Sequence, residues 1–84
     1  MQTPKRPKQY HRYKNLSGKS TVSRYEALRD SINIEFTDGT AYRYTNQTAE
    51  PANISKMKEL AVAGNGLGTF IKATIKDRFE RKIR

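Results

Sequence analysis

His11 is the only histidine of this 84-residue chain, and there is no cysteine. One imidazole and eight scattered carboxylates cannot assemble a set of metal ligands at the usual spacing, and without thiols neither a thiolate site nor a cysteine nucleophile is available. His11 stands among prolines and bases near the N-terminus, where a general base would have no fixed position. Ser17, Ser20 and Ser23 have no evident base to activate them. These residues predict no catalytic site, no metal and no cofactor, and hence no enzyme acting on a small-molecule substrate.

What remains is the chemistry of cations and aromatic rings. The net charge is +9, and it is unevenly spread. Residues 1–14 carry Lys5, Arg6, Lys8, Arg12 and Lys14 without an acid, interleaved with Tyr10 and Tyr13. Bases hold phosphates and tyrosine rings stack on nucleobases, so this segment reads as a flexible basic arm, residues 1–15, ahead of one domain, 16–84. A disordered tail is the other reading, and the two are compatible because such an arm can order on binding. Residues 15–64 hold six bases and six acids and are neutral, whereas residues 65–84 hold six bases and two acids. Lys72, Lys76, Arg78, Arg81, Lys82 and Arg84 supply that second excess, and Lys72 and Lys76 are spaced to meet one phosphate path from one helix. Excess charge at both ends of a neutral centre points to an anionic partner. Few exposed amides accompany it, so phosphate contact with little sequence readout is expected.

Gly64-Asn65-Gly66-Leu67-Gly68 invites comparison with phosphate-binding loops. It lacks the Gly-Lys-Ser/Thr ending of a P-loop. Either it is a connection between helices, or the free N–H groups of Thr69, Phe70 and Ile71 at a helix start, with Lys72 nearby, attract a phosphate.

The elements that carry these groups centre on Ser31–Thr45. Ile32, Ile34 and Phe36 alternate with Asn33 and Glu35, and Tyr42 and Tyr44 alternate with Ala41 and Arg43 around Asp38-Gly39. This is a β-hairpin pattern. A two-residue turn would put Arg43 on the core face and both tyrosines outside. A three-residue turn, Thr37-Asp38-Gly39, pairs Ile34 with Tyr42 and Ile32 with Tyr44 and leaves Arg43 in solvent. Burying an unpaired arginine costs more than burying the tyrosines gains, so the second register is favoured, with both rings in the core and Arg43 exposed. Thr21–Ala27 reads as a preceding strand with poor alternation. Residues 46–53 read as a loop, about 52–63 as a helix capped by Gly64, and about 69–81 as a second helix with Leu67, Ile71, Ile75 and Phe79 in a stripe. The predicted fold is α+β: a three-stranded antiparallel meander followed by two helices on one sheet face, β-β-β-α-α. No apolar run is long enough to span a bilayer, no signal-peptide core is present, and cysteine is absent, so no membrane partner and a cytoplasmic location are expected.

Tyr42-Arg43-Tyr44, preceded by Phe36 and Gly39 and followed by Gly68-Thr69-Phe70-Ile71, Ile75 and Phe79, resembles the KTSC domain, a short domain found at the C-terminus of some lysyl-tRNA synthetases. The resemblance covers about residues 20–80. It departs at Ile71-Lys72, where the family commonly has Phe-Asn, and in the longer loop after Thr45. It implies the α+β fold, and RNA rather than DNA as the nucleic acid. The function expected is a small RNA-favouring module that is not an enzyme. The alternative is a protein-interaction module using the open sheet face or an edge strand.

Overall fold

In a computed structural model, which describes residues 10–84, the central hairpin joins β3 (Ser31–Phe36) to β4 (Ala41–Thr45). Ile32 pairs with Tyr44, Asn33 with Arg43 and Ile34 with Tyr42. This is the register of the three-residue turn. Gly39 adopts φ +92°, which a side chain would oppose, and its N–H reaches the Phe36 carbonyl at 3.0 Å. The Asp38 carboxylate accepts from the Thr40 hydroxyl and N–H, and these bonds, the hydroxyl's first, hold its pKa below the usual range.

β2 (Val22–Ala27) pairs with β3 and carries a bulge between Val22 and Arg24. The extra residue explains the poor alternation of this stretch: it rephases the strand so that Val22 and Tyr25 both turn to the core face. The sheet has five strands, not the three predicted, all antiparallel in the order β1-β2-β3-β4-β5. Both additions are two-residue edges. β1 (His11–Arg12) lies on β2, and β5 (Arg81–Lys82) lies on β4.

The helices cover one face of the sheet. Thr45 caps a one-turn helix, α1 (Asn46–Ala49), through a reciprocal bond with Thr48, where a loop was expected. α2 (Pro51–Ala63) buries Ile54, Met57 and Ala61 and ends at Gly64, φ +77°. A side chain at Gly64 would also strike Lys14, 2.6 Å from its Cβ. α3 (Leu67–Phe70) continues into a π-helical stretch, Ile71–Ile75. An apolar stripe repeating every four residues drifts around a helix of 3.6 residues per turn. The wider π turns keep Leu67, Ile71 and Ile75 all buried.

The second helix therefore stops well short of residue 81. Lys76 turns the chain at φ 55°, and the segment beyond returns along β4, where the N–H of Glu80 bonds the Arg43 carbonyl and that of Ile83 bonds Ala41. Arg78, Arg81 and Lys82 are thus not on a helix.

The described part of the expected arm is built into the domain. Tyr13 is 3% exposed, packed in the core cluster with Val22, Ile34, Ala61 and Leu67 among others. Its hydroxyl accepts the Leu67 N–H at 3.1 Å, capping the start of α3. The boundary at residue 15 is thus placed too late: the domain includes residues 10–15. Tyr13→Phe should lower stability by about 1–3 kcal/mol, because a buried N–H loses its acceptor. Tyr13→Ala should cost more, about 3–5 kcal/mol. Thermal melts check both, and unchanged midpoints would show that this ring is not a core residue.

Candidate nucleic-acid interface

Antiparallel pairing makes opposed residues share a face. With Ile32, Ile34, Tyr42 and Tyr44 turned to the helices, Asn33, Glu35 and Arg43 turn outward, together with their partners Arg24 and Glu26 on β2. Arg12 opposes Arg24, and Arg81 opposes Arg43. From the last residue, Arg84 Nη1 reaches back to Glu35. The outer face thus gathers five arginines and two glutamates.

This face is not open sheet. Asn33 and Glu35 are only 3% and 5% exposed. Arginine stems and the Tyr10 ring cover them, with the Arg24 guanidinium 5.9 Å from the ring centre. The Glu35 carboxylate is clamped between Arg24 Nε and Arg84 Nη1, each at 2.5 Å. Beside it, Arg43 Nε donates to Asn33 Oδ1, and Asn33 Nδ2 donates to Glu26 Oε1, both at 3.1 Å. The Tyr10 hydroxyl is buried above this network without a hydrogen-bond partner among the described residues. Its burial, and then the Glu26 charge, push its pKa up.

Arg43 was expected to stand free in solvent. It is half-buried and tied to Asn33, because the central strand carries a polar partner where open water was assumed. Arg12 and Arg81 are exposed, and no ion pair joins either to an acid among the described residues. Tyr44 is a core residue as expected, whereas Tyr42 faces the same side and only packs against the core. Tyr44 is 2% exposed, Tyr42 is partly buried against Phe79 at 4.5 Å, and burial pushes the Tyr44 phenol up to about 12.

Other expected site residues lie elsewhere. Lys5, Arg6 and Lys8 fall outside the described residues. Tyr13 is in the core and cannot offer its ring to a base. Lys14 is exposed, its stem against Gly64. Lys72 and Lys76 are exposed on the helical side, away from the outer face. Arg78 meets Glu50 at 3.6 Å, and Lys82 pairs with Tyr42 on the core side of the sheet edge. Arg24 was missed, and the place of Arg84 was not foreseen. Arg24 reveals its face only once the β2 bulge is known, and Arg84 only once the terminal segment is seen to be a strand.

Of the three N–H groups expected to be free, those of Phe70 and Ile71 are already bonded. α3 starts at Leu67, two residues early, so the Phe70 N–H already bonds the Gly66 carbonyl and the Ile71 N–H bonds Leu67 and Gly68. The glycines serve the chain path. Gly66 is at φ +86°, and a Cβ on Gly68 would lie 2.7 Å from Ser20 Oγ.

Compared with family models, curated proteins and solved structures, the chain matches none. No helix among the described residues is long and apolar enough to cross a membrane.

The Arg24 hydrogen bond, more than the opposing effect of burial, holds the Glu35 carboxyl below its usual pKa. A carboxylate with a depressed folded-state pKa adds stability that is complete above the unfolded value, roughly 4.3, and is lost as pH falls through the folded value. Glu35→Gln should therefore cost about 1–2 kcal/mol at neutral pH, a modest figure because both arginines are half-exposed. The cost should shrink as pH falls below about 4. Urea melts at pH 7 and pH 3 measure this; an equal cost at both values would contradict the clamp.

Proposed function

We propose that this protein is a small nucleic-acid-binding module, not an enzyme, that docks through the outer face of its sheet. The observation that carries the reading is the pair of like-charged cross-strand neighbours, Arg12 with Arg24 and Arg43 with Arg81. Like charges directly opposed on a sheet destabilise it. Glu35 offsets part of this for Arg24, but Arg12 and Arg81 have no acid partner among the described residues. A polyanion relieves both pairs at once, and arginine forks suit phosphate. Lys5, Arg6 and Lys8, outside the described residues, add to the positive charge of the chain.

Binding is phosphate-led and weakly sequence-specific. The amide of the outer face, Asn33, is already committed to Glu26 and Arg43 and is unavailable to read base edges. RNA is favoured over DNA on the resemblance to the KTSC domain, to which we assign the chain on the order of its motif residues. The alternative is a protein partner on the sheet face or an edge strand; strand addition has less support, because the edge strands offer two residues each.

Titration of RNA across a salt series tests the reading. Each phosphate contact should contribute roughly 0.7–0.9 to the slope of log K against log salt. Charge reversal at Arg12 and Arg81 should weaken binding by about tenfold or more and flatten the slope by roughly two contacts. Reversal at Lys72 and Lys76, on the other side, should act less. Removal of residues 1–9, which spares the core residue Tyr13, should flatten the slope further. No binding of RNA or DNA at low salt would overturn the proposal and favour a protein partner.

A further inference from the structure

A cleft of about 160 Å³ lies between the turn that joins β1 to β2 and the start of α3. Asn15 fixes the first wall: its Oδ1 accepts the Ser20 N–H at 3.0 Å, and its carbonyl accepts the Gly18 N–H at 2.9 Å. The Leu16 N–H bonds the Gly64 carbonyl at 2.8 Å and ties this wall to the glycine loop opposite. Gly68 lets the walls approach, since any side chain there would meet Ser20. The lining is polar and cationic. Lys19 and Lys72 bring two ammonium groups, and no carboxylate lines the cleft. Neither lysine is in an ion pair among the described residues. Ser20 Oγ accepts the Val22 N–H at 3.1 Å, and Ser17 Oγ accepts the Lys19 N–H at 3.2 Å. Neither hydroxyl hydrogen has an acceptor among the described residues, so both are left to donate.

Two cations and two hydroxyl donors around a small space suit an oxyanion. A phosphate monoester carries a charge of about −1.5 to −2 at pH 7 and three strong acceptor oxygens, so it matches both the charge and the donors. A diester inside a strand carries only one charge and fits less well. The ester side of the ligand is indicated by what adjoins the cleft. A groove of about 390 Å³ shares Thr21, Gly68 and Lys72 with it and is lined by Phe36, Tyr42 and Phe79. These three rings are only partly buried. Asp77 also lines the groove and disfavours a phosphate there, which leaves the groove to an uncharged ring.

We propose that the cleft holds the phosphate of a nucleoside monophosphate unit, whose base lies on the rings of the adjoining groove. This site is separate from the outer face of the sheet and does not rest on it. A free nucleotide and the phosphorylated 5′ end of a strand present the same chemistry.

The test follows the backbone amide signals of the full chain as adenosine monophosphate, inorganic phosphate or adenosine is added at fixed ionic strength. The nucleotide should move the amides of Ser17, Lys19, Ser20, Thr69 and Lys72 and bind about tenfold tighter than phosphate, because base stacking adds to the phosphate contacts. Lys19→Gln and Lys72→Gln, both at exposed positions, should each weaken it by about fivefold. No shift of the cleft amides at millimolar nucleotide, or an affinity unchanged in both variants, would overturn the site. A nucleotide bound no tighter than phosphate would overturn the place given to the base. A short RNA with and without a 5′ phosphate separates the two sources: cleft shifts that need the phosphate extend the site to strand ends, and their absence with both strands restricts it to free nucleotides. Binding of unphosphorylated RNA at the outer face is unaffected by any of these results.

Discussion

The register of the β3–β4 hairpin is the constraint on which the molecule depends. Side chains alternate along a strand, so a slip of one residue would exchange the two faces completely. Gly39 at positive φ permits the three-residue turn. That turn sets Ile32 against Tyr44 and Ile34 against Tyr42, and so places four apolar side chains beneath the helices. The same step sends Asn33, Glu35 and Arg43 to the other side. Core and candidate interface are thus two consequences of one turn.

On the outer side, the energetic problem is charge. Glu35 is nearly buried yet ionised, because Arg24 and Arg84 offset its lost hydration. Arg84 comes from the far end of the chain, so this clamp ties the terminal strand to the sheet. The clamp leaves an arginine excess on this face. The helical side meets a different problem. There the π-helical stretch, the hydroxyl of Tyr13 and three glycines let a short chain close its core against a five-stranded sheet. Cations on that side, Lys72 and Lys76, sit on a surface whose main task is packing.

Features set by neighbouring residues were legible in the sequence. The hairpin register followed from the cost of burying Arg43, α2 from the spacing of Ile54, Met57 and Ala61, and its end from Gly64. Features set by distant pairing were not. β1 and β5 are two residues long and exist only because β2 and β4 have edges to fill. Residues 76–82 continued an apolar and basic helical pattern, yet the backbone turns at Lys76 and pairs with β4. Tyr13 among bases looked like a stacking residue, although its ring completes the core. For the interface, the basic residues were visible but their grouping was not. Arg12 and Arg81 belong to opposite ends of the sequence, and only the sheet brings them onto one face with Arg24, Arg43 and Arg84.

The most direct measurement is an NMR titration that follows the backbone amide and side-chain N–H signals, the arginine Nε–H among them, as RNA is added. If the outer face is the interface, the signals of Arg12, Arg24, Arg43, Arg81 and Arg84 should move together, with Asn33 Nδ2 responding through its bond network. Lys72, Lys76 and the α2 surface should stay nearly unchanged. Shifts confined to the helical side, with the outer-face arginines still, would contradict the account.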